Sequence, residues 1–295
     1  MRVNPNPMPD LLASLNETQL DAEVASLQIS TGRSVNEPSD NPTAAALLVE
    51  NNDQATFTSG SLQTLSAVQG QLSTADSTLS SITTALQQAV SLGVEGANGT
   101  ESASDQAAIV VQLQGIQTEL ISLANTTYQG NYLFAGTATG TEPYTADAND
   151  PSGVSYAGNT GSNQIAVGNG CQIATNVPGS QLFSASGNDV FLAVNNLITA
   201  LQTNTGIETA VNALSSASSY LSAQRVLYGN AMSQATSETN YLNTAKLQIS
   251  QQETTLGGAD EAAAATNLSQ AQTNTQAALA AISKMSEDNL FNYLT

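Results

Sequence analysis

Residues 207–256 read IETAVNALSSASSYLSAQRVLYGNAMSQATSETNYLNTAKLQISQQETTL. Within them Leu214, Leu221, Tyr228, Ala235, Leu242, Ile249 and Leu256 stand seven apart, the spacing that returns a side chain to the same helix face every two turns. The stretch therefore predicts one helix of about fifty residues, roughly 75 Å long at 1.5 Å per residue. A compact domain needs no helix of that length, so the pattern points to long helices packed along their sides.

Working outward, the same order recurs in Leu65, Val68, Leu72, Ala75, Leu79, Ile82, Leu86 and Ala89. These lie in a helical pattern from Pro42 to about Val94, with Asn41 the expected N-cap and Pro42 at the first helical position, where its missing N–H costs nothing. Gly93, Gly96 and Gly99 are read as its end. A third helix, capped by Ser104 or Asp105, carries Ile109, Leu113, Ile116, Leu120 and Leu123, and a shorter one carries Val190, Val194, Leu197 and Leu201. Both chain ends repeat the theme with weaker seams. Past Pro5, Pro7 and Pro9, which are read as barring helix, Leu11, Leu15, Thr18, Ala22, Ala25 and Ile29 step by four and three and stop at Gly32. The last helix offers Leu268, Ala271, Thr275, Ala278, Ile282 and Met285. Seams this poor do not sustain an isolated coiled coil, so the two ends are expected to pair with each other and with other copies.

The middle differs. From Gly136 to about Gly187 turn-forming residues dominate and short alternating runs appear: Val154 with Tyr156, Ile165 with Val167, Ile173 with Thr175 and Val177. Asn169-Gly170 lies between two of them as a hairpin signal. The expected fold is thus mainly α, long coiled-coil helices from both chain ends with a small antiparallel β domain inserted in the middle.

Composition excludes most chemistry. The 295 residues include no histidine, no tryptophan and one cysteine, Cys171. A His-dependent triad, a Cys-His dyad, an intrachain disulfide and a Cys/His zinc cluster are impossible. With 24 acids against 5 bases the formal charge is −19, a surface on which nucleic acid and anionic membranes dock poorly. No run is read as approaching the roughly 18 apolar residues of a membrane span. Residues 1–15 carry Arg2 but no apolar core or small-residue cleavage site, so no Sec signal is expected.

Several chemical-looking signals read as structure. Asp147 to Asp150 begins like a calcium loop, but Ser152 and Gly158 stand where glycine and glutamate are required. Gly168-Asn169-Gly170 lacks the third glycine of a dinucleotide fingerprint, with Ile173 in that place. Asn98-Gly99-Thr100 and Asn125-Thr126-Thr127 match the glycosylation sequon, a frequent chance pattern in an Asn- and Thr-rich chain. Cys171 has no base to activate it. Arg33, after a helix-ending glycine, has three candidate partners: the preceding helix carbonyls, a carboxylate such as Asp40, or a neighbouring subunit. Tyr128, Tyr132 and Phe134 read as anchors between helices and β insertion. No cofactor or metal site is expected.

Three motifs carry a resemblance. Thr31-Gly32-Arg33-Ser34-Val35-Asn36-Glu37-Pro38-Ser39-Asp40-Asn41-Pro42-Thr43-Ala44-Ala45 is similar to the S-G-x-R-I-x-x-P-S-D-D-P-x-A-A pattern of the hook-filament junction proteins (the hook-associated protein 3 family), homologues of bacterial flagellin. Gly130-Asn131-Tyr132-Leu133-Phe134-Ala135-Gly136-Thr137 resembles their G-x-Y-x-F-x-G-T. Asn289-Leu290-Phe291-Asn292-Tyr293-Leu294 resembles their closing S-L-F-D-Y-L. Thr31, Asn41, Asn289 and Asn292 depart mildly and preserve the turn chemistry. Flagellin itself has an S-A-x-D-D-A-A-G-like segment where this chain has Glu37 to Pro42, and it lacks the second motif. Residues 86–100 resemble the flagellin helix whose arginine contributes to innate-receptor recognition, but Gln88, Ala89 and Val90 supply no arginine.

The resemblance implies three parts: a terminal coiled coil (1–38 and 265–295), a helical rod domain (39–135 and 188–264) and an outer β domain (136–187). It implies a structural subunit without catalytic activity, an adaptor ring in the extracellular flagellum exported through the flagellar type III apparatus. The implied partners are other copies, the first junction protein, flagellin and an export chaperone. The inner assembly layer would be Leu11, Leu15, Ile29, Leu268, Ile282, Met285 and Leu290. The motif residues are Gly32, Arg33, Pro38, Ser39, Asp40 and Pro42 in the loop, and Gly130, Tyr132, Phe134 and Gly136 at the entry to the β domain. Two alternatives stand beside it: a flagellin-like filament subunit, and a secreted acidic carbohydrate-active protein using Asp147 and Asp150.

Overall fold

A computed structural model describes residues 8–98, 102–168 and 170–291. Over 285–291, which include Met285 and Leu290, only the backbone is described, and the ends of the chain, Gly99 and Asn169 lie outside the described residues. Helices α1 (Met8–Thr31), α2 (Pro42–Gly96) and α3 (Ala103–Ala124) come first. Strands β1 (Thr127–Tyr128), β2 (Asn131–Tyr132), β3 (Tyr144–Ala146), β4 (Val154–Tyr156), β5 (Gln164–Val167) and β6 (Cys171–Ala174) follow. Helices α4 (Gly179–Leu182), α5 (Val190–Thr203), α6 (Ile207–Gly257) and α7 (Glu261–Phe291) complete the order.

The long helices obey the sequence closely. Helix α6 is 51 residues long, and Leu214, Leu221, Tyr228, Ala235, Leu242 and Ile249 are all buried. Every member of the Leu65 to Ala89 seam of α2 is also buried. Asn41 caps α2 as expected, its side-chain oxygen accepting from the Ala44 N–H at 3.1 Å.

The chain forms two compact units. One is built from its ends, up to Thr58 and from Thr244 on, and the other is Ser59–Asn243. In the second, a single apolar core joins the buried seams of α2, α3, α5 and α6 to side chains of the β region, among them Phe134, Tyr144, Val154, Ile173 and Phe183. Phe134, Phe183, Tyr144, Tyr156 and Phe191 form an aromatic cluster, with Phe134 edge-on to Phe183 at 5.1 Å. The β region is three separate antiparallel hairpins, β1–β2, β3–β4 and β5–β6.

Four local readings are corrected. Pro9 lies inside α1, in the first turn, where backbone N–H groups have no intrahelical partner to lose. Helix α2 runs through Gly93 and stops only at Gly96. A Cβ at Gly93 would sit 2.7 Å from Val211 and 2.9 Å from Leu197, so this glycine admits close packing and does not break the helix. The cap of α3 is Ser102. Its hydroxyl accepts from the Asp105 N–H while the Asp105 carboxylate accepts from the Ser102 N–H, each at 3.3 Å, a reciprocal capping box. Finally, α3 is long and apolar enough to reach the range of a membrane span; here it buries Ile109, Val110, Leu113, Ile116 and Leu120 in the core.

Candidate assembly interface

Helices α1 and α7 pack side by side in the terminal unit. Gly32 bonds Ala259 through the backbone, while Thr275 donates to Thr18 at 3.4 Å, so the two run antiparallel. Their facing stripes follow the expected spacing. Ala25, Ala264 and Ala271 are buried, and Leu11, Leu15, Thr18, Ala22, Leu268, Thr275, Ala278 and Ile282 are half-buried. Small residues at the buried positions let the helices approach closely, with the larger Leu11, Leu15, Leu268 and Ile282 half-buried along the same seam. Ile29 remains 37% exposed.

Behind this seam α1 carries a second apolar ridge. Leu20, Val24 and Leu27 are spaced i, i+4 and i+7, and they are 54%, 48% and 42% exposed. At roughly 100° per residue they point away from α7. The sequence reading follows only the Leu11 to Ile29 seam; the exposed ridge is seen in the structure.

The loop between α1 and α2 is fastened to the turn between α6 and α7. Gly32 ends α1 with φ +66° and donates its N–H to the Gln28 carbonyl at 2.9 Å, the left-handed C-terminal arrangement that glycine favours. The Gly257 carbonyl then accepts from the Ser34 N–H at 2.7 Å, and the Gly32 carbonyl from the Ala259 N–H at 3.0 Å. Arg33 sits opposite Gly258 in this two-residue bridge. Its guanidinium pairs with Glu253 at 3.4 Å, both side chains being more than half exposed. That carboxylate lies 220 residues away in sequence, so no local pattern could have nominated it over Asp40 or a neighbouring subunit.

Asp40 has a different task. Its Oδ2 accepts from the backbone N–H groups of Asn36 and Glu37, each at 2.9 Å. Those bonds, that of Glu37 foremost, hold its carboxyl below the usual carboxylate range. Asp40 therefore closes the loop, with Pro38 and Ser39 at its tip and Pro42 opening α2. The Ser39 hydroxyl donates to Glu37 at 3.3 Å.

In the second unit the other motif forms a tight entry to the β region. Gln129 and Gly130 both have positive φ, +51° and +82°, making a two-residue turn between Tyr128 and Asn131. The Tyr132 N–H donates to Thr139 at 2.9 Å. Phe134 is fully buried and its carbonyl accepts from Gly179 and from the Tyr156 hydroxyl. Gly136 has φ +73°, and a Cβ there would collide with the Asn159 carbonyl. The Tyr128 hydroxyl lies against Gly70 of α2.

The signals discounted above are structural in detail. Asp147 accepts from the Asn149 N–H and Asp150 from both the N–H and the hydroxyl of Ser152, so these carboxylates shape the β3–β4 turn. Asn125 is engaged at both ends of its amide, donating to Glu142 and the Tyr144 carbonyl and accepting from the Tyr144 N–H. Cys171 pairs with Val167 at one end of the β5–β6 ladder.

Residues 6–139 match the bacterial flagellin N-terminal helical region, and residues 204–294 match the bacterial flagellin C-terminal helical region. A stretch of 122 residues is 40% identical to the flagellar hook-associated protein 3 of Escherichia coli strain K12, covering 41% of this chain and 38% of that protein. The match thus spans less than two thirds of the curated relative. Among solved structures, a Vibrio parahaemolyticus protein assigned to the flagellar hook-associated proteins superposes with a TM-score of 0.67 at 18% identity, over 73% of this chain and 98% of that one. The flagellar junction protein FlgL of Legionella pneumophila gives a TM-score of 0.59 at 14% identity, over 72% and 100%. At these identities the superpositions speak for a shared fold.

Proposed function

This chain belongs to the bacterial flagellin family, and from that premise we propose that it is a structural subunit of the flagellum, placed in a ring between the hook and the flagellin filament. The observation that carries the reading is the terminal unit. Its two helices close on each other through a seam of alanine, threonine and a few larger side chains, while the Leu20, Val24 and Leu27 ridge of α1 faces away uncovered. A seam so thin gains most of its burial when neighbours supply the rest of a core.

In this reading the chain crosses the flagellar type III export apparatus with its terminal helices loosely paired and held by a chaperone. In place, those helices lock against other copies, the first junction protein on the hook side and flagellin on the other. Leu11, Leu15, Ile29, Leu268, Ile282, Met285 and Leu290 line the inner layer. The Gly32 to Pro42 loop, stitched to Gly257 and Ala259, keeps the two terminal helices in register. The division into terminal (1–38, 265–295), rod (39–135, 188–264) and outer β (136–187) parts belongs to the same proposal. The chain then carries load and performs no catalysis.

A strain lacking this gene tests the proposal. It is expected to build hooks without filaments and to lose subunits of the filament into the medium, with both defects reversed by the intact chain. Normal filaments on the null strain would overturn the proposal. If the chain dominates sheared flagella instead of forming a trace band, it is a filament subunit.

A further inference from the structure

The apolar seams of α2 and α6 carry little information about their own register. Within the second unit the α2 seam holds Leu65, Leu72, Leu79 and Leu86, and the α6 seam holds Leu214, Leu221, Tyr228, Ala235 and Leu242, each set spaced by seven and buried in the same core. Gln69 donates to Thr239 at 3.4 Å and Asp76 meets Arg225, so the two helices run antiparallel. A slip of one repeat, roughly 10 Å at 1.5 Å per residue, would return apolar side chains to apolar neighbours. The exception is a single pair of charges. Arg225 is the only lysine or arginine between Ser59 and Asn243. Its Nε donates to Oδ1 of Asp76 at 2.9 Å and its Nη2 to Oδ2 at 3.0 Å, the two-pronged geometry that a guanidinium forms with a carboxylate. The two side chains are 31% and 29% exposed. The other ion pair of the described residues, Arg33 with Glu253, belongs to the terminal unit.

We propose that Asp76 and Arg225 are positioning residues that hold α6 against α2 in one register, acting by excluding the slipped arrangements more than by adding stability. After a slip of seven residues Arg225 stands opposite Gln69 or Thr83, and Asp76 opposite Ser218 or Met232. None of these side chains is ionisable, so both charges are left partly buried and unpaired, which costs more than the pair contributes when formed. A polar or charged group at one place in an apolar seam is the means by which coiled coils choose a register. Tyr228 cannot substitute for it. Its hydroxyl accepts from the Val177 N–H at 3.2 Å, which ties α6 to the β region and leaves α2 free. One register gives every copy of the chain the same shape, a consequence that matters to assembly only under the reading proposed above.

The test uses the purified full chain with Cys171→Ser and spin labels on Ser66→Cys and Ser216→Cys. Both positions are exposed, and they lie on opposite sides of the ion pair along the helices. Pulsed electron paramagnetic resonance should give one distance in this parent. Asp76→Leu combined with Arg225→Met should match or exceed the parent in denaturant midpoint, yet show a second distance displaced by up to roughly 10 Å. Asp76→Leu alone should lower the midpoint, because Arg225 is then unpaired. Should the apolar pair fail to fold, Asp76→Asn with Arg225→Gln removes both charges at nearly constant shape and should show the same second distance. Tyr228→Phe, which deletes the hydroxyl, should keep a single distance. One unchanged distance in the folded charge-free variants, or a second distance in Tyr228→Phe, would overturn the proposal. Such a failure leaves the null-strain assay untouched, since that assay reads only whether filaments form.

Discussion

Gly32 and Gly136 share a left-handed backbone, φ +66° and +73°, but a methyl group meets different surroundings at each. Around Gly32 there is open space, so Gly32→Ala is expected to cost only the left-handed penalty of about 1–2 kcal/mol. At Gly136 the methyl also strikes the Asn159 backbone, and Gly136→Ala should lose more, with unfolding midpoints in denaturant as the measure. Two carboxylates give opposite pH signs. The carboxyl of Asp40 is lowered by the N–H groups it accepts from, so its contribution is present above the ordinary carboxylate value of 3.8 and fades as pH falls through the lowered one. Amide exchange at Asn36 and Glu37 should therefore quicken in acid, and Asp40→Asn should abolish that pH dependence. Asp189, which caps α5 by accepting from Leu192 at 2.8 Å, is raised by burial. Its protonated form is favoured in the fold, so stability falls as pH rises from 3.8 through the raised value. Asp189→Asn keeps an acceptor and should match or exceed the parent at neutral pH, whereas Asp189→Ala should cost about 1 kcal/mol.

Among the elements, the pairing of α1 with α7 depends on small side chains. Ala25, Ala264 and Ala271 are almost fully buried, so Ala271→Leu should overpack the seam at a cost of about 1–3 kcal/mol. Hydrogen exchange should then speed up in α1 and α7 while α3 and α5 stay protected. The helices were legible in the sequence because a seven-residue repeat is a local signal sustained over many turns: Leu214 to Ile249 announced α6 without any tertiary knowledge. What escaped depended on contacts distant in sequence or on conformations no residue type announces. Gly93 resembled a helix end because Leu197 and Val211, which crowd it, lie over a hundred residues on. The β1–β2 hairpin was hidden by Gln129, a residue with no preference for its φ of +51°. Strand β3 has three residues, too few to display alternation. The Leu11 to Ala25 stripe was visible in the sequence and is the face that α7 covers, whereas the Leu20, Val24 and Leu27 ridge behind it emerged only from the structure.

For the whole molecule, the two units should separate in consequence when the chain is cut. Ending the chain after Asp260 removes α7, exposes the α1 seam and should abolish assembly. Residues 59–243 keep their own apolar core and should retain near-native circular dichroism and resist proteolysis; loss of that protected fragment would show that the core depends on the chain ends. The central claim concerns place, and gold-labelled antibody against this chain on isolated flagella, viewed by electron microscopy, tests it most directly. With the epitope shown to be accessible, the account predicts gold confined to a single band where hook meets filament. Label running along the filament, or none on intact flagella, would contradict it.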